Sequence, residues 1–197
     1  QQIQELGLSY LGLSNVNYRI YNMESAISNS IEASNIFKNL QDTTNYINAS
    51  LLLAQVFMGL DNYEDATSII NDMYELAKMS NDSLQLANVL NYLGALYSLK
   101  GDYDSALQFF QRAIELNVKL ENKINEGINL GNLGEIYMRK AQYQPAFNSL
   151  FKALEIEEKQ NFTSGMIFLY YTLGETYSKI NNERLALKFF NKSLELI

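Results

Sequence analysis

The stretch Leu93-Gly94-Ala95-Leu96-Tyr97 decides the fold of this chain of 197 residues, because its pattern returns at a fixed interval. Leu-Gly-x-x-Tyr begins again at Leu133 and at Leu173, each time 40 residues further along. An alanine follows each of the three glycines at the same distance, at Ala106, Ala146 and Ala186. Self-similarity at a period of about 20 to 50 residues is typical of repeat architectures.

The repeat continues towards the N-terminus in a weaker form. The same frame finds Leu53-Ala54-x-x-Phe57 followed by Ala66, and then Leu13-Ser14 followed by Ala26. In the first repeat, Asn17, Met23 and Ser30 stand where the pattern has Tyr, Tyr and a large apolar residue. All five repeats align at the 40-residue period without an insertion. The sequence therefore predicts one domain over residues 1–197 with five repeats, approximately 3–40, 43–80, 83–121, 123–160 and 163–197.

Each repeat divides into two amphipathic helical segments. In the third repeat, residues 86–99 carry apolar side chains at helical spacing, Gly101-Asp102 makes a turn, and residues 103–120 give a second helix. Pro145 is the only proline and falls early in its helix, where a missing N–H donor is tolerated. The pattern predicts an all-α fold of antiparallel helix pairs.

Composition excludes several classes of function. The formal net charge is −7 with only 15 Lys and Arg residues, so we expect no phosphate-neutralising surface and no nucleic-acid partner. The apolar runs are far shorter than the roughly 20 residues that a membrane helix requires, so no insertion into a membrane is expected. Cys and His are both absent, which removes zinc sites, thiol chemistry and Ser-His-Asp triads. We expect no metal, no cofactor and no enzymatic activity.

The two ends of the chain suggest that more protein adjoins it. The sequence begins at Gln1 without Met and stops at Ile197 within an apolar helical pattern, so we expect a piece of a longer protein or one without its leader. The outer face of the final helix is expected to meet more of the parent protein or a second copy of the chain. No feature fixes the compartment: a cytoplasmic location is favoured, and an exported or periplasmic one stays open.

The Tyr-x-x-Ala, Leu-Gly-x-x-Tyr and Phe/Leu-x-x-Ala patterns together resemble the tetratricopeptide repeat. Phe110-x-x-Ala113 and Leu150-x-x-Ala153 fit the last of these well, and Phe190-x-x-Ser193 fits it loosely. The period of 40 exceeds the usual value of about 34, and the proline that commonly ends a unit is missing, which suggests longer helices. The resemblance implies a right-handed superhelical solenoid whose concave inner wall is formed mainly by the first helix of each repeat.

The resemblance also nominates residues that face this groove. The polar ones are Asn15, Arg19, Asn48, Gln55, Asn88, Asn91, Asn132, Glu135, Arg139, Glu175 and Lys179. The apolar or aromatic ones are Tyr18, Leu51, Met58, Met138, Phe168 and Tyr171.

Two interpretations of the Asn-rich wall stay open. Asn and Gln side chains both donate and accept hydrogen bonds, so a row of them can bracket the backbone of an extended peptide. Alternatively, Asn is simply abundant in this chain, and exposed helix positions must hold something polar. Phe168 and Tyr171 offer flat apolar area suited to anchoring a ligand, and Arg139 and Lys179 are suited to an acidic group.

Two glycines allow more than one interpretation, and a carboxylate cluster allows one. Gly127 and Gly131 lie one turn apart in a helix, where each glycine costs up to about 1 kcal/mol relative to alanine. They either admit the backbone of a ligand or permit tight packing or a hinge within the stack. Glu155, Glu157 and Glu158 form a carboxylate cluster that we interpret as a solvated face of the outer helix.

The sequence thus favours a binding module whose groove holds a protein or peptide partner. The alternative is a ligand-sensing, regulatory segment of a larger signalling protein, in which binding tightens the stack. Self-association through the C-terminal helix is a further expectation. An enzyme is disfavoured, because no Asp or Glu pair has a recognisable catalytic spacing.

Overall fold

A computed structural model describes residues 1–197 and contains ten α-helices and no β-strand. The helices are α1 Gln2–Arg19, α2 Met23–Asn39, α3 Thr43–Gly59, α4 Tyr63–Met79, α5 Ser83–Leu99, α6 Tyr103–Lys119, α7 Lys123–Arg139, α8 Tyr143–Gln160, α9 Thr163–Lys179 and α10 Glu183–Leu194. They group into two compact units, residues 1–100 and 101–197. None of the ten helices combines the length and the apolar character needed to cross a lipid bilayer.

The loops between helices share one conformation, which recurs every 20 residues. One residue of each loop has a positive φ angle: Tyr21, Gln41, Asp61, Asn81, Gly101, Glu121, Ala141, Asn161 and Asn181. The next residue is the N-cap of the following helix, and in seven of these nine loops its Asn or Asp side chain accepts a backbone N–H bond. Such caps satisfy donors that the first helical turn leaves free. Gln142 and Phe162 are the exceptions.

The first unit contains α1 to α5, and each first helix packs on the hairpin before it. Helix α3 packs on α1 and α2, and α5 packs on α3 and α4. Phe37 of α2 is fully buried with Ala33 and Ala49. A Cβ added to Gly7 of α1 would lie 2.9 Å from the Phe37 ring, so this glycine permits the close approach.

The weak first repeat is held by a polar pair. Ser14 stands where other repeats have Gly or Ala, and its Oγ lies 2.5 Å from Ser30 Oγ and donates to the Ala26 carbonyl at 2.9 Å. All three residues are buried, and because Ser14 donates to the carbonyl, it accepts the hydrogen bond of the Ser30 hydroxyl. The loss of apolar volume at Ser30 is therefore offset by hydrogen bonds.

The second unit contains α6 to α10 and has an aromatic-rich core. Leu150, Leu154, Leu169, Leu173 and Phe189 belong to one buried cluster. The repeat glycines lie where the helices of a hairpin meet. A Cβ on Gly134 would lie 2.6 Å from Leu150, and one on Gly174 would lie 2.7 Å from Phe190.

The remaining glycines of α7 are also packing residues. A Cβ on Gly131 would lie 2.9 Å from Leu169 and 3.4 Å from Phe168, both on α9, so its surface is covered by a helix. A Cβ on Gly127 would lie 3.0 Å from the Cγ of Glu157. Of the two interpretations of these glycines, tight packing within the stack agrees with the structure.

The interpretation of Glu157 as part of a solvated carboxylate face was wrong. Glu155 and Glu158 are exposed, but Glu157 is only 1% exposed and lies between Gly127 of α7 and Gly165 of α9. Its Oε2 has no hydrogen-bond partner. Because burial penalises the charged form, it raises the pKa of Glu157 to about 7.

Candidate functional site

In the first unit, the nominated polar residues lie on the first helices of their repeats. Asn48 and Gln55 lie on α3, and Asn88 and Asn91 lie on α5. All four are half-buried. The hydroxyl of Tyr92 donates to Gln55 Oε1 at 3.3 Å. Gln55 is thereby oriented by an aromatic residue that the sequence interpretation had not selected.

Burial controls the chemistry of that tyrosine. It raises the pKa of Tyr92 to about 12, with a smaller contribution from the nearby Tyr18. Tyr92 therefore stays protonated and remains a hydrogen-bond donor. Tyr18 also packs on the last turn of α3, where its Cε2 would lie 3.2 Å from a Cβ on Gly59.

In the second unit, α7 contributes a linked pair of charged residues. Arg139 Nε and Nη2 donate to Glu135 Oε1 at 2.9 Å and 2.7 Å, one helical turn apart. The hydrogen bond that Arg139 donates to Glu135 raises the pKa of Arg139, and a hydrogen bond with Tyr103 adds to this effect. Arg139 is therefore held between an acidic and a phenolic partner.

Helix α9 presents the other half of this site. Phe168, Tyr171, Glu175 and Lys179 are spaced by three or four residues, so they share one face of the helix. The other face is buried: Leu169 and Leu173 are fully inaccessible, whereas Phe168 and Tyr171 are 36% and 50% exposed. Two large aromatic rings are thus left at the surface beside charged groups.

The pKa of Tyr171 reflects acidic residues on both helices. The charge of Glu175 raises the pKa of Tyr171 most, followed by partial burial, a hydrogen bond to Glu175 and the charge of Glu135. Tyr171 of α9 is therefore close to an acidic residue of α7 as well as to one of its own helix. We call Asn132, Glu135, Arg139, Phe168, Tyr171, Glu175 and Lys179 the α7/α9 site.

A polar cavity of about 380 Å³ opens at one end of the α7/α9 site. Arg139, Glu175 and Lys179 line it, together with Tyr103 and Tyr143. The sequence interpretation missed these two tyrosines, because both occupy the Tyr-x-x-Ala position that the repeat normally uses for packing. Lys179 is exposed and makes no ion pair, so its ammonium group is available to a ligand.

Three apolar residues nominated for the groove are buried: Leu51, Met58 and Met138 are at most 7% exposed. Met138 nevertheless lines the polar cavity beside Arg139. The neighbours of these three residues in the helical register are the half-buried Asn and Gln residues, so the polar members of the set offer more surface than these apolar ones. Phe168 and Tyr171 are the nominated aromatic residues that remain exposed.

Comparison with protein families identifies the repeat. One tetratricopeptide repeat model matches residues 45–117, and a second matches residues 169–197. The two matches together cover more than half of the chain. No curated protein is significantly similar to it in sequence.

Several solved structures have the same fold. A Rap protein complexed with competence and sporulation factor has a TM-score of 0.76 at 13% identity, over 100% of this chain and 64% of that one. BtubC from P. vanneervenii has a TM-score of 0.75 at 15% identity, over 98% and 80%. TPR-like repeats of a Podosopora anserina kinesin light chain have a TM-score of 0.70 at 13% identity, over 98% and 95%. These similarities confirm the predicted all-α solenoid of helix pairs.

Proposed function

Because this chain belongs to the tetratricopeptide-repeat family, we propose that it is a non-catalytic scaffold that binds a protein or peptide. We further propose that its five hairpins act as one solenoid domain whose first helices bind the partner. The observation that carries this proposal is the α7/α9 site, where exposed aromatic rings adjoin a polar cavity. Exposed large apolar side chains beside convergent polar groups are typical of binding sites.

The site favours a segment with an apolar side chain and an acidic group. Phe168 and Tyr171 supply rigid contact area with few rotatable bonds, so their ordering on binding costs little entropy. Lys179 has no ion pair and can meet a carboxylate of the ligand. Glu135 already neutralises Arg139, so Arg139 contributes an oriented donor surface more than a free charge.

The polar residues of α3 and α5 support the same function. Asn48, Gln55, Asn88 and Asn91 can donate to and accept from main-chain groups, whatever the side chains of the partner. We propose that they lengthen the binding surface in the first unit. The structure of a Rap protein complexed with competence and sporulation factor gives a precedent for a bound factor on this fold.

The test is selection of peptides from a random library on the immobilised protein, followed by affinity measurement by fluorescence anisotropy. The site variant is Phe168→Ala/Lys179→Glu, and the matched control on the outer helix α8 is Phe151→Ala/Lys159→Glu. Phe151 is 41% exposed, close to the 36% exposure of Phe168, and circular dichroism checks that both variants are folded. We expect the site variant to bind at least tenfold more weakly and the control to bind as the wild type does. Equal losses would contradict the proposal.

A second candidate function is a ligand-sensing segment of a larger signalling protein. The factor-bound Rap structure favours it, although this chain spans only 64% of that protein. Hydrogen exchange distinguishes the two functions. A sensor should change the exchange of α3 and α5 when a peptide binds at the α7/α9 site, whereas a scaffold should show protection confined to the contacted helices.

A further inference from the structure

Helices α7 and α8 line a cavity of about 350 Å³ that shares no residue with the α7/α9 site. Three lysines line this cavity: Lys123 is the first residue of α7, and Lys152 and Lys159 lie on α8. The other lining residues are Glu126, Glu155, Ile156 and Gln160. The chain has a formal net charge of −7 and only 15 Lys and Arg residues, so three ammonium groups around one cavity stand out from its composition.

The carboxylate of Glu126 holds two of these lysines in place. It accepts a hydrogen bond from Lys123 Nζ at 2.8 Å, and Lys152 Nζ lies 3.4 Å from its other oxygen. The Glu126 side chain is only 4% exposed, whereas the side chains of Lys123 and Lys152 are 51% and 56% exposed. A buried carboxylate is costly unless opposite charges accompany it, so it stays bound to both lysines. Glu126 therefore fixes two ammonium groups beside the cavity.

The fourth repeat departs from the repeat pattern at Glu126. The other four repeats have an apolar or aromatic residue at this position: Leu6, Tyr46, Leu86 and Met166. Since the fold forms with an apolar residue there, packing does not require a carboxylate with two lysine partners. Departures from an otherwise consistent pattern are expected at functional sites. The departure thus points to a role for the lysines beyond the stability of the repeat.

The third lysine of the cavity has a weaker partner. Lys159 Nζ lies 2.7 Å from Glu155 Oε1, one helical turn away, and the two side chains are 71% and 67% exposed. An ion pair between such exposed side chains contributes little, because water and salt screen it. Lys159 can therefore leave Glu155 for an anion in the cavity at little cost.

The charges around the cavity match a doubly charged anion. Glu126 neutralises one of its two lysines, which leaves one positive charge, and Lys159 adds a second when it leaves Glu155. A phosphate monoester carries a charge of about −1.5 to −2 at pH 7 and has three strong acceptor oxygens, one for each ammonium group. The cavity volume lies within the range of small-molecule sites. Ile156 offers apolar surface to the rest of such a molecule.

We propose that this cavity binds the phosphate group of a small soluble molecule. Lys123, Lys152 and Lys159 donate to the phosphate oxygens, and Glu126 positions the first two of them. The binding is non-covalent. The inference does not rest on the proposed function, because it uses none of the residues of the α7/α9 site.

The test is a titration of the protein with phenyl phosphate, inorganic phosphate and acetate at constant ionic strength, followed by the amide resonances of α7 and α8. The site variant is Lys152→Gln/Lys159→Gln. The matched control is Lys192→Gln/Lys119→Gln, which changes the same two positions of the repeat on α10 and α6 and removes the same charge. Circular dichroism checks that both variants are folded. Neither variant changes the α7/α9 site, so both should still bind a selected peptide.

We expect the control to bind phenyl phosphate as the wild type does, and the site variant to bind about tenfold more weakly, since it loses two charge-assisted hydrogen bonds. Acetate should bind more weakly than inorganic phosphate because it carries a single charge. Equal losses in the two double variants would overturn the proposal, since they would show a response to net charge alone. Binding to vesicles that contain phosphatidic acid, without binding of phenyl phosphate, would overturn it in favour of a membrane surface.

A third variant tests the exchange of partners by Lys159 and has the opposite sign. Glu155→Gln removes the carboxylate that competes with the ligand, so it should bind phenyl phosphate several-fold more tightly than the wild type. Glu115→Gln is the control, because Glu115 is exposed and has the same position in the repeat on α6. Equal affinities of these two variants would overturn the three-lysine site.

Discussion

The α2/α3 junction and the α8/α9 junction occupy the same register of the repeat and are filled in opposite ways. In the first, the ring of Phe37 is fully buried against Gly7 and Ala49. In the second, 120 residues further along, Glu157 takes the position of Phe37, and Gly127 takes that of Gly7. The backbone is the same, but an aromatic core residue in one junction is a desolvated carboxyl in the other.

The repeat therefore provides a buried position for a large side chain here, and that side chain can be aromatic or a carboxylic acid. Gly165 on α9 provides the extra room, because a Cβ there would overlap the Glu157 carboxyl group. The junctions also differ at the N-terminus of the second helix of each pair, α3 in one and α9 in the other. Asp42 caps α3, whereas Phe162 at the start of α9 makes no side-chain cap bond. We therefore expect the α8/α9 junction to be the less stable one, and the more dependent on pH.

The largest effect should come from emptying the aromatic junction. Phe37→Ala removes a fully buried ring and leaves a cavity, so we expect a loss of about 3–5 kcal/mol in the free energy of unfolding. Urea denaturation followed by circular dichroism measures it. Met79→Ala, at a position 79% exposed, is the control and should change stability by less than about 0.5 kcal/mol. A small effect of Phe37→Ala would mean that this junction is not a stabilising core.

Crowding the carboxyl junction should have the next largest effect. Gly165→Ala forces Glu157 out of its place, at an expected cost of about 1–3 kcal/mol. Gly12→Ala is the matched control, because its added Cβ would meet no other part of the protein within 4 Å. It should stabilise α1 by up to about 1 kcal/mol through helix propensity. In a double-mutant cycle, Glu157→Ala should remove most of the cost of Gly165→Ala. Simple additivity of the two would contradict the contact.

The pH dependence of stability should separate the junctions further. The pKa of Glu157 is raised to about 7 in the folded chain, above that of an unfolded glutamate. The folded state therefore binds the Glu157 proton more tightly than the unfolded state does. The contribution of this proton to the free energy of unfolding is lost as pH rises from about 4.5 through 7. We expect the stability of the wild type, relative to Glu157→Gln, to fall by about 1–3 kcal/mol between pH 5 and pH 8. A difference that is constant with pH would contradict the burial of an ionisable carboxyl.

The smallest effect concerns the helix caps. Asp42→Ala removes the side-chain acceptor of the Asn45 N–H at 3.1 Å, so we expect a loss of about 1 kcal/mol in the free energy of unfolding. Asp42→Asn keeps an acceptor and should cost less. At Phe162 there is no cap bond to lose, so Phe162→Ala should show only the loss of apolar contact. Thermal unfolding at pH 7 compares the three, and equal costs for both Asp42 variants would show that the cap contributes little.

Much of the fold was predictable because its packing rule is visible in the sequence. Helices can approach closely only where a small residue stands, so Gly134 and Gly174 mark their contacts with Leu150 and Phe190 at a constant spacing. The link between Glu135 and Arg139 is also visible, since side chains four residues apart on a helix are neighbours. The predicted fold class and family are confirmed. The use of the groove by a ligand stays a prediction.

Other features depend on contacts between distant residues, which spacing does not reveal. Glutamate is rarely buried, so Glu157 beside Glu155 and Glu158 suggested a solvated face. Its burial depends on Gly127 and Gly165, which lie on two other helices. The sequence does not identify Tyr103 as a site residue for another reason. It occupies a consensus packing position, yet it also lines the polar cavity.

The most direct test of the central claim is the position of a bound peptide at the α7/α9 site. A photoreactive phenylalanine analogue is placed at position 168 or, as control, at position 151 on α8, and each protein is irradiated with a peptide selected by the wild type. Mass spectrometry then detects covalent adducts. The account predicts an adduct from position 168 and none from position 151. An adduct from position 151 alone would place the ligand on the outer helices and contradict the assignment of binding to α7 and α9.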